Sequence, residues 1–461
     1  MFAKEVYISR RENLKQDVNS GIILLPGNEE SSMNYVDNLY HFRQDSCFLY
    51  YAGIDRASLV LLIDIDNNAT TIFGNEATMD EIVWMGAIYS IKDQAAEAGI
   101  NDVQPLQNLA GILQRAVTQK RKIHYTPPYR ADIGIKLSEW LNIPYQSIKE
   151  NASLPLIKAI ISQRSIKSAE EIIEIEKAVN TTVDMQVKAM QASREGITEY
   201  QLAGQLEGIA ASGGGHLSFP IILTVNGQYL HNHAGNNILQ NGQMILCDCG
   251  AEASSHYGGD LTRTSPVSGR FSSLQKEVYK VVLNAQEAAV KAAQPFTKFL
   301  DVHLLACERL TDGLKQLGLM KGDTKEAVAA GAHTLFFQCG LGHMLGLDVH
   351  DMENLGEQYV GYTDSLKKST AFGLKSLRLA RALEPGFVVT IEPGLYFIPE
   401  LMDMWQAENK HSNFINYNAL PNFRNFGGIR IEDDVLITDT GNRILGKPLP
   451  KTYQEIEALC G

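Results

Sequence analysis

The chain has 461 residues, 44% of them hydrophobic, with 41 basic against 53 acidic side chains and a net charge of −12. At roughly 100–200 residues per domain this suggests two or three domains, large enough to fold without staples. The acidic balance disfavours nucleic acid, which needs a concentrated basic surface, and no apolar run approaches the roughly 20 residues of a membrane-spanning helix.

The opening MFAKEVYISRRENL is charged throughout. It has no apolar signal-peptide core, so a cytoplasmic location is expected. The first ~150 residues alternate short apolar strands with helical stretches, the pattern of an α/β domain. GIILLPG (21–27) and ASLVLLIDID (57–66) read as buried strands, with Asp64 and Asp66 as ordinary strand-end polar residues. Residues 78–100 have helical spacing, and 101–150 give a further helix–strand alternation broken by Pro127-Pro128. We expect one domain over residues 1–160 and a second over 161–461.

Ser168 with Glu171 three residues on is a capping box. It opens a helix over 169–192, whose apolar stripe is Ile172, Ile175, Val179, Val183 and Val187. A second helix is expected over about 198–211, ending before Gly213-Gly214-Gly215. No strand precedes those glycines and no Lys-Ser/Thr follows, so they read as a loop rather than a phosphate cradle.

An internal echo follows. GQMILCDCG (242–250) and GFVVTIEPG (386–394) each open on Gly, reach a carboxylate six positions on and close on Gly. A further acidic strand follows each, GGDLTRTSPV (258–267) and GGIRIEDDVLIT (427–438). Two copies of strand, carboxylate, partner strand, carboxylate imply a pseudo-two-fold domain. Cys247 and Cys249 are expected on opposite faces of their strand. With Cys47, Cys307, Cys339 and Cys460 they form no CxxC pair, so six free thiols in a reducing compartment are expected.

Asp248 and Glu392 end strongly apolar strands, where an unpaired charge is costly to bury. Four convergent carboxylates, Asp248, Asp260, Glu392 and Glu432, require a cation to stay ionised together. His343, in GLGHMLGLDVHD (340–351), is the expected imidazole ligand, with Gly340 and Gly342 allowing close backbone approach. Such a set favours Mn²⁺, Co²⁺ or Zn²⁺ over a thiolate zinc. His231 and His233 would share a face if 229–233 is extended, a spacing that also suits a mononuclear histidine site. Arg430 shares a face with Glu432 and is placed to bind a peptide carbonyl or carboxylate, whereas Asp433 is expected on the surface or in a turn.

LHNHAGN, LCDCGAE…GGDLTRT, GLGHMLGLDVHD, TIEPGLYF and GIRIEDD resemble, in order, the ligand motifs of the pita-bread metallopeptidases. That family includes aminopeptidase P, prolidase and methionine aminopeptidase. YHFRQDSCFLYYAGI (40–54) resembles the signature of the creatinase-type N-domain, which methionine aminopeptidases lack. The resemblance implies an α/β N-terminal domain followed by an α+β pita-bread domain with a pseudo-two-fold repeat. It implies two divalent metal ions, with Asp248 on one metal, Asp260 and Glu432 bridging, and His343 with Glu392 completing the other site. It further implies Glu392 as proton shuttle, and His231, His350 and Arg430 as substrate-shell residues. The activity implied is hydrolysis of the bond between an N-terminal residue and a following proline (aminopeptidase P) or of Xaa-Pro dipeptides (prolidase), by a homodimer or larger oligomer.

Metal-free creatinase-like hydrolases and non-catalytic relatives on this fold lack the full ligand set, which this chain keeps. It departs at Cys339, where many relatives carry a second histidine, and in two inserts, 354–382 and about 399–426. Such inserts can wall the cleft or make dimer contacts.

Overall fold

The computed structural model describes residues 2–461. They form two compact units, one running through Arg164 and including Asn354–Tyr359, the other comprising Ser165–Glu353 and Val360–Gly461. The expected cut between residues 160 and 161 falls inside the helix Leu154–Ser165.

The first unit is built on β1 (Ile22–Pro26), β2 (Val60–Asp64), β3 (Ala69–Phe73), β4 (Asp102–Gln104) and β5 (Ile123–His124), in the order β4-β3-β2-β1-β5. Every residue of β1 is buried, as expected of a continuous apolar run covered on both faces. Arg121 donates to both Asp64 and Asp66; against its burial, hydrogen bonds from Arg121 and Asn67 hold Asp64 below its usual range, and the Gly21 N–H, then Arg121, hold Asp66 down. The helical spacing over 78–100 resolves into two short helices, Met79–Met85 and Ile91–Glu97. Gly86, at φ 84°, ends the first, and the Ser90 side chain caps the second.

The second unit opens on the helix Ala169–Ala192, with the Ser168–Glu171 capping box formed. Ile172, Ile175, Val179 and Val183 are buried along it, and Val187 half-buried. The helix Glu199–Ser212 follows, capped by Thr198.

The strands here are β6 (Ile222–Val225), β7 (Met244–Cys249), β8 (Leu261–Pro266), β9 (Val388–Ile391), β10 (Gly394–Tyr396), β11 (Gly428–Arg430), β12 (Asp433–Ile437) and β13 (Asn442–Ile444). They form β6-β7-β8, β13-β12-β9 and β10-β11, all antiparallel. The echo is visible in the backbone: Gly242 and Gly386 both sit at positive φ, 85° and 91°, which glycine adopts without strain. Beside β9, the segment of His343 takes the place that β6 holds beside β7. Thr390 N–H donates to His343 O at 3.0 Å and Glu392 N–H to Leu341 O at 2.8 Å. A Cβ on Gly342 would stand 2.0 Å from Thr390 O, so only glycine lets that segment lie against β9.

Two expectations are corrected. Cys247 and Cys249 share a face of β7, with their sulfurs 3.8 Å apart, because the side-chain period of a strand is two. Asp433 is buried, 2% exposed. Arg263 and Lys451 pair with it and Gln286 Nε2 donates to it at 2.8 Å. These partners outweigh the cost of burial and hold its carboxyl down at about 2.

The insert at 399–426 forms the helix Pro399–Ala407 and a short 3₁₀ turn, Leu420–Phe423. It buries Met402, Trp405 and Phe423 in the same core as Phe336 and Phe397. Among the described residues none of the six cysteines forms a disulfide. Among the described residues no helix is long and apolar enough to cross a membrane.

Candidate metal centre

Asp248 lies near the end of β7, Asp260 just before β8, Glu392 just after β9, and Glu432 between β11 and β12. With His343 they converge. Asp260, His343 and Glu432 each offer a ligand atom within 4.8 Å of the others. His343 Nε2 stands 3.5 Å from Asp260 Oδ2 and 3.7 Å from Glu392 Oε1. Asp248 lies close enough for its charge to raise the Asp260 carboxyl. Asp248, Asp260, His343 and Glu432 are buried and Glu392 half-buried.

The strand registers show how two related hairpins supply unlike groups. Asp248 pairs with Thr262 in β7–β8, and Gly394 with Arg430 in β10–β11. Continuing these registers sets Asp260 opposite Gly250 and Glu432 opposite Glu392. The related positions are therefore Asp260 with Arg430, Thr262 with Glu432, and Thr264 with Asp434. Reciprocal hydrogen bonds join them: Asp260 N–H to Asp434 Oδ2 at 3.0 Å, Thr262 Oγ1 to Glu432 Oε2 at 2.6 Å, and Arg430 N–H to Thr264 Oγ1 at 3.2 Å. The expected one-to-one match of the second carboxylates is thus corrected. Asp260 and Glu432 occupy different steps of the repeat.

Burial and mutual repulsion govern the electrostatics. Desolvation, then the neighbouring carboxylates, pushes Asp260 and Glu432 well above the carboxylate range, and Glu392 to about 7. Burial first lowers His343 and His350. Asp248 Oδ1 and Asp260 Oδ1 are buried without a hydrogen-bond partner. His343 Nδ1 is 3.0 Å from Met344 O, which selects the tautomer whose Nε2 lone pair faces the carboxylates. Orphaned carboxylate oxygens, raised pKa values and a presented imidazole fit divalent cations, which would relieve all three.

A group whose folded pKa is raised disfavours the fold once ionised. In metal-free protein this carboxylate cluster is therefore expected to favour the fold below about pH 4.5 and to weaken it as pH rises through about 7, where Glu392 ionises. Glu392 alone accounts for about 3 kcal/mol of this. Melting temperatures with chelator and with excess Mn²⁺, compared between pH 5 and 8, test it. The lowering of Tm by chelator should be larger at pH 8 than at pH 5, and a lowering that is equal at both or larger at pH 5 would contradict the electrostatics.

The remaining predicted residues divide. The His350 ring lies 4.5 Å from His343, edge to face, with Nδ1 2.6 Å from Glu353 Oε2. Residues 229–231 make a bend and turn rather than a strand. His231 is exposed and feels the charges of Arg430, Asp248, Arg378 and His350, whereas His233 bridges back to Ile222. The two do not act as one histidine face. Arg430 is buried, and its guanidinium donates to Asp248 Oδ2 at 2.5 Å, Tyr396 OH at 2.8 Å and Thr262 Oγ1 at 3.1 Å. Cys339 is half-buried, its thiol pushed up to about 12 by burial and by Glu392, and within hydrogen-bond reach of Tyr396.

Thr262, Tyr396 and Asp434 were not singled out from sequence, because nothing in their spacing distinguishes them from strand residues. Arg378, in the 354–382 insert, was also missed. Its charge reaches His231, His343 and His350.

Comparison with known proteins agrees with this geometry. Residues 174–439 match the model of metallopeptidase family M24, and residues 7–124 that of the aminopeptidase P N-terminal domain. The chain is 33% identical over 446 residues to a Homo sapiens Xaa-Pro dipeptidase, covering 95% of this chain and 88% of that protein. It is 28% identical to the Escherichia coli Xaa-Pro aminopeptidase over 99% of this chain and 98% of that one. A zinc-substituted Escherichia coli aminopeptidase P in complex with product superposes with a TM-score of 0.81 at 27% identity, covering 100% of this chain and 98% of that one. With its ligand-type residues converging inside the matched segment, the chain belongs to metallopeptidase family M24.

Proposed function

We propose that this protein is an Xaa-Pro aminopeptidase, releasing an N-terminal residue from peptides with proline second. The observation that carries the reading is the buried cluster of Asp248, Asp260, His343, Glu392 and Glu432. Those five residues would hold two divalent metal ions, Mn²⁺ in preference to Co²⁺ or Zn²⁺. When bound, the ions would supply water activation and carbonyl polarisation. Residues 161–461 carry the chemistry and residues 1–160 form the creatinase-like domain.

The roles of the remaining groups follow from their positions. Glu392, at about 7, is poised to take a proton on its carboxylate and return it to the leaving amine. His231 and His350 flank the cluster and hold the substrate carbonyls, stabilising charge that develops on oxygen. Arg430 has its donors on Asp248, Tyr396 and Thr262, and serves the substrate by fixing Asp248. The working form is a cytoplasmic homodimer or larger homo-oligomer, with peptides as partners and neither nucleic acid nor membrane.

A second reading, an Xaa-Pro dipeptidase, is favoured by Arg378. A guanidinium whose field reaches His231 and His350 is suited to a dipeptide's free carboxylate. Purified protein with Mn²⁺ should be assayed on Xaa-Pro dipeptides and Xaa-Pro-Yaa tripeptides. Turnover of tripeptides supports the aminopeptidase. Turnover of dipeptides alone, with kcat/KM falling about 10–100-fold in Arg378→Gln, moves the assignment to the dipeptidase. Metal bound with neither class cleaved overturns both.

A further inference from the structure

His231 sits on a loop between β6 and β7 whose geometry is set from outside the metal centre. The loop leaves β6 at Val225, turns through Asn226 and Gly227, both at φ 67°, and returns past Gly235 and Asn237. Glu199, the first residue of the helix Glu199–Ser212, is 1% exposed. Its Oε1 accepts from Val225 N–H at 2.8 Å and its Oε2 from Gly235 N–H at 2.8 Å, while Asn237 Nδ2 lies 3.2 Å from both oxygens. The backbone of the same helix end reaches the returning leg: Glu199 N–H donates to Asn237 O and Tyr200 N–H to Gly235 O, each at 3.1 Å.

We infer that Glu199 is a positioning residue for His231, a buried carboxylate that clamps both legs of the loop carrying it. The inference rests on the proposed role of His231 at the substrate. A buried carboxylate without a cationic side chain is held by charge-assisted hydrogen bonds, which are strong and directional. Here each oxygen grips a different leg, so the spacing of the legs is fixed by the width of one carboxyl group. Between Val225 and Gly235 the other anchors are weaker or lie at the edges. Asn232 Nδ2 is 3.3 Å from Thr224 Oγ1, His233 Nδ1 is 3.3 Å from Ile221 O, and Tyr229 OH is 3.3 Å from Glu400. At the outgoing turn, Gly428 N–H donates to Asn226 O. Asn232 and His233 also tie the returning leg to β6, the latter with a bridge to Ile222, but by longer side-chain contacts; the Glu199 carboxylate accepts from both legs at 2.8 Å.

Glu199→Gln is nearly isosteric but turns an N–H₂ donor onto a backbone N–H, so one leg is released. The test compares wild type, Glu199→Gln, His231→Ala and the double variant, each with Mn²⁺ on an Xaa-Pro-Yaa tripeptide. Glu199→Gln is expected to lower kcat/KM about 10–100-fold, the scale of a small misplacement of a positioned group. The loss should fall mainly in KM at unchanged metal content, and should largely vanish when His231 is already alanine. An equal loss in both backgrounds, or no loss, overturns the inference. If Glu199→Gln does not fold, Asn237→Ala should give a smaller loss with the same dependence on His231. Hydrogen exchange decides the clamp independently of which peptide is cleaved: amides of residues 225–237 should exchange faster in Glu199→Gln while those of β7 and β9 do not change. A wild type inactive on tripeptides counts against the proposed activity; unchanged exchange counts against the clamp.

Discussion

Replacing Asp260 with alanine is expected to reduce peptide hydrolysis by roughly three orders of magnitude or more, the scale for losing one member of a group that acts as a unit. Asp260 is 4% exposed, is 3.5 Å from the His343 imidazole, and leaves Oδ1 without a hydrogen-bond partner. The loss should coincide with reduced bound metal, measured on the same preparation. In metal-free protein the effect reverses sign: burial and Asp248 raise Asp260, and Asp260 in turn raises Glu432, so Asp260→Asn should melt higher than wild type at pH 8. A variant that keeps full activity, or that melts lower without metal, would show that Asp260 is not part of a cation-requiring cluster.

The second large effect is on stability. Arg263→Met is expected to cost about 3–5 kcal/mol, the scale for removing one partner of a buried ion pair, and to lower Tm by roughly 10 °C, although Lys451 and Gln286 still reach Asp433. Arg263 is 1% exposed. It donates to Asp433 Oδ1 at 2.8 Å, Pro450 O at 2.9 Å, Thr262 O at 2.9 Å and Glu432 O at 2.7 Å. Methionine fills the space but satisfies none of these acceptors. The ion pair depresses Asp433 to about 2, so its contribution is present above the ordinary aspartate range and is lost as pH falls towards 2. The Tm difference between variant and wild type should therefore narrow in strong acid. Two of the four acceptors belong to Thr262 and Glu432, so metal affinity should weaken as well. Unchanged Tm at pH 7 would contradict this account.

Much of this molecule is legible in its residue order, for a physical reason. The capping box at Ser168 is local and forms as read, and the helix expected over about 198–211 forms as Glu199–Ser212. Carboxylates at the ends of apolar strands advertise themselves because burying charge is costly, and all five proposed ligand residues do come together. The two glycines that open the repeat also announce their positive φ by their identity and spacing.

Tertiary structure decided what depends on neighbours distant in sequence. Asp433 reads as a surface residue because Glu432-Asp433-Asp434 is an acidic run; Arg263 and Lys451, 170 and 18 positions away, make it a buried anchor. Arg430 reads as a substrate contact until Asp248, Tyr396 and Thr262 are seen to hold it. The repeat reads as two equal copies until strand register, which no single strand encodes, sets Asp260 against Arg430 and Thr262 against Glu432. The sequence by itself determined which groups must be neutralised. Only the folded chain decided which partners neutralise them, because hydrogen bonds and ion pairs across strands follow register and packing rather than spacing along one segment.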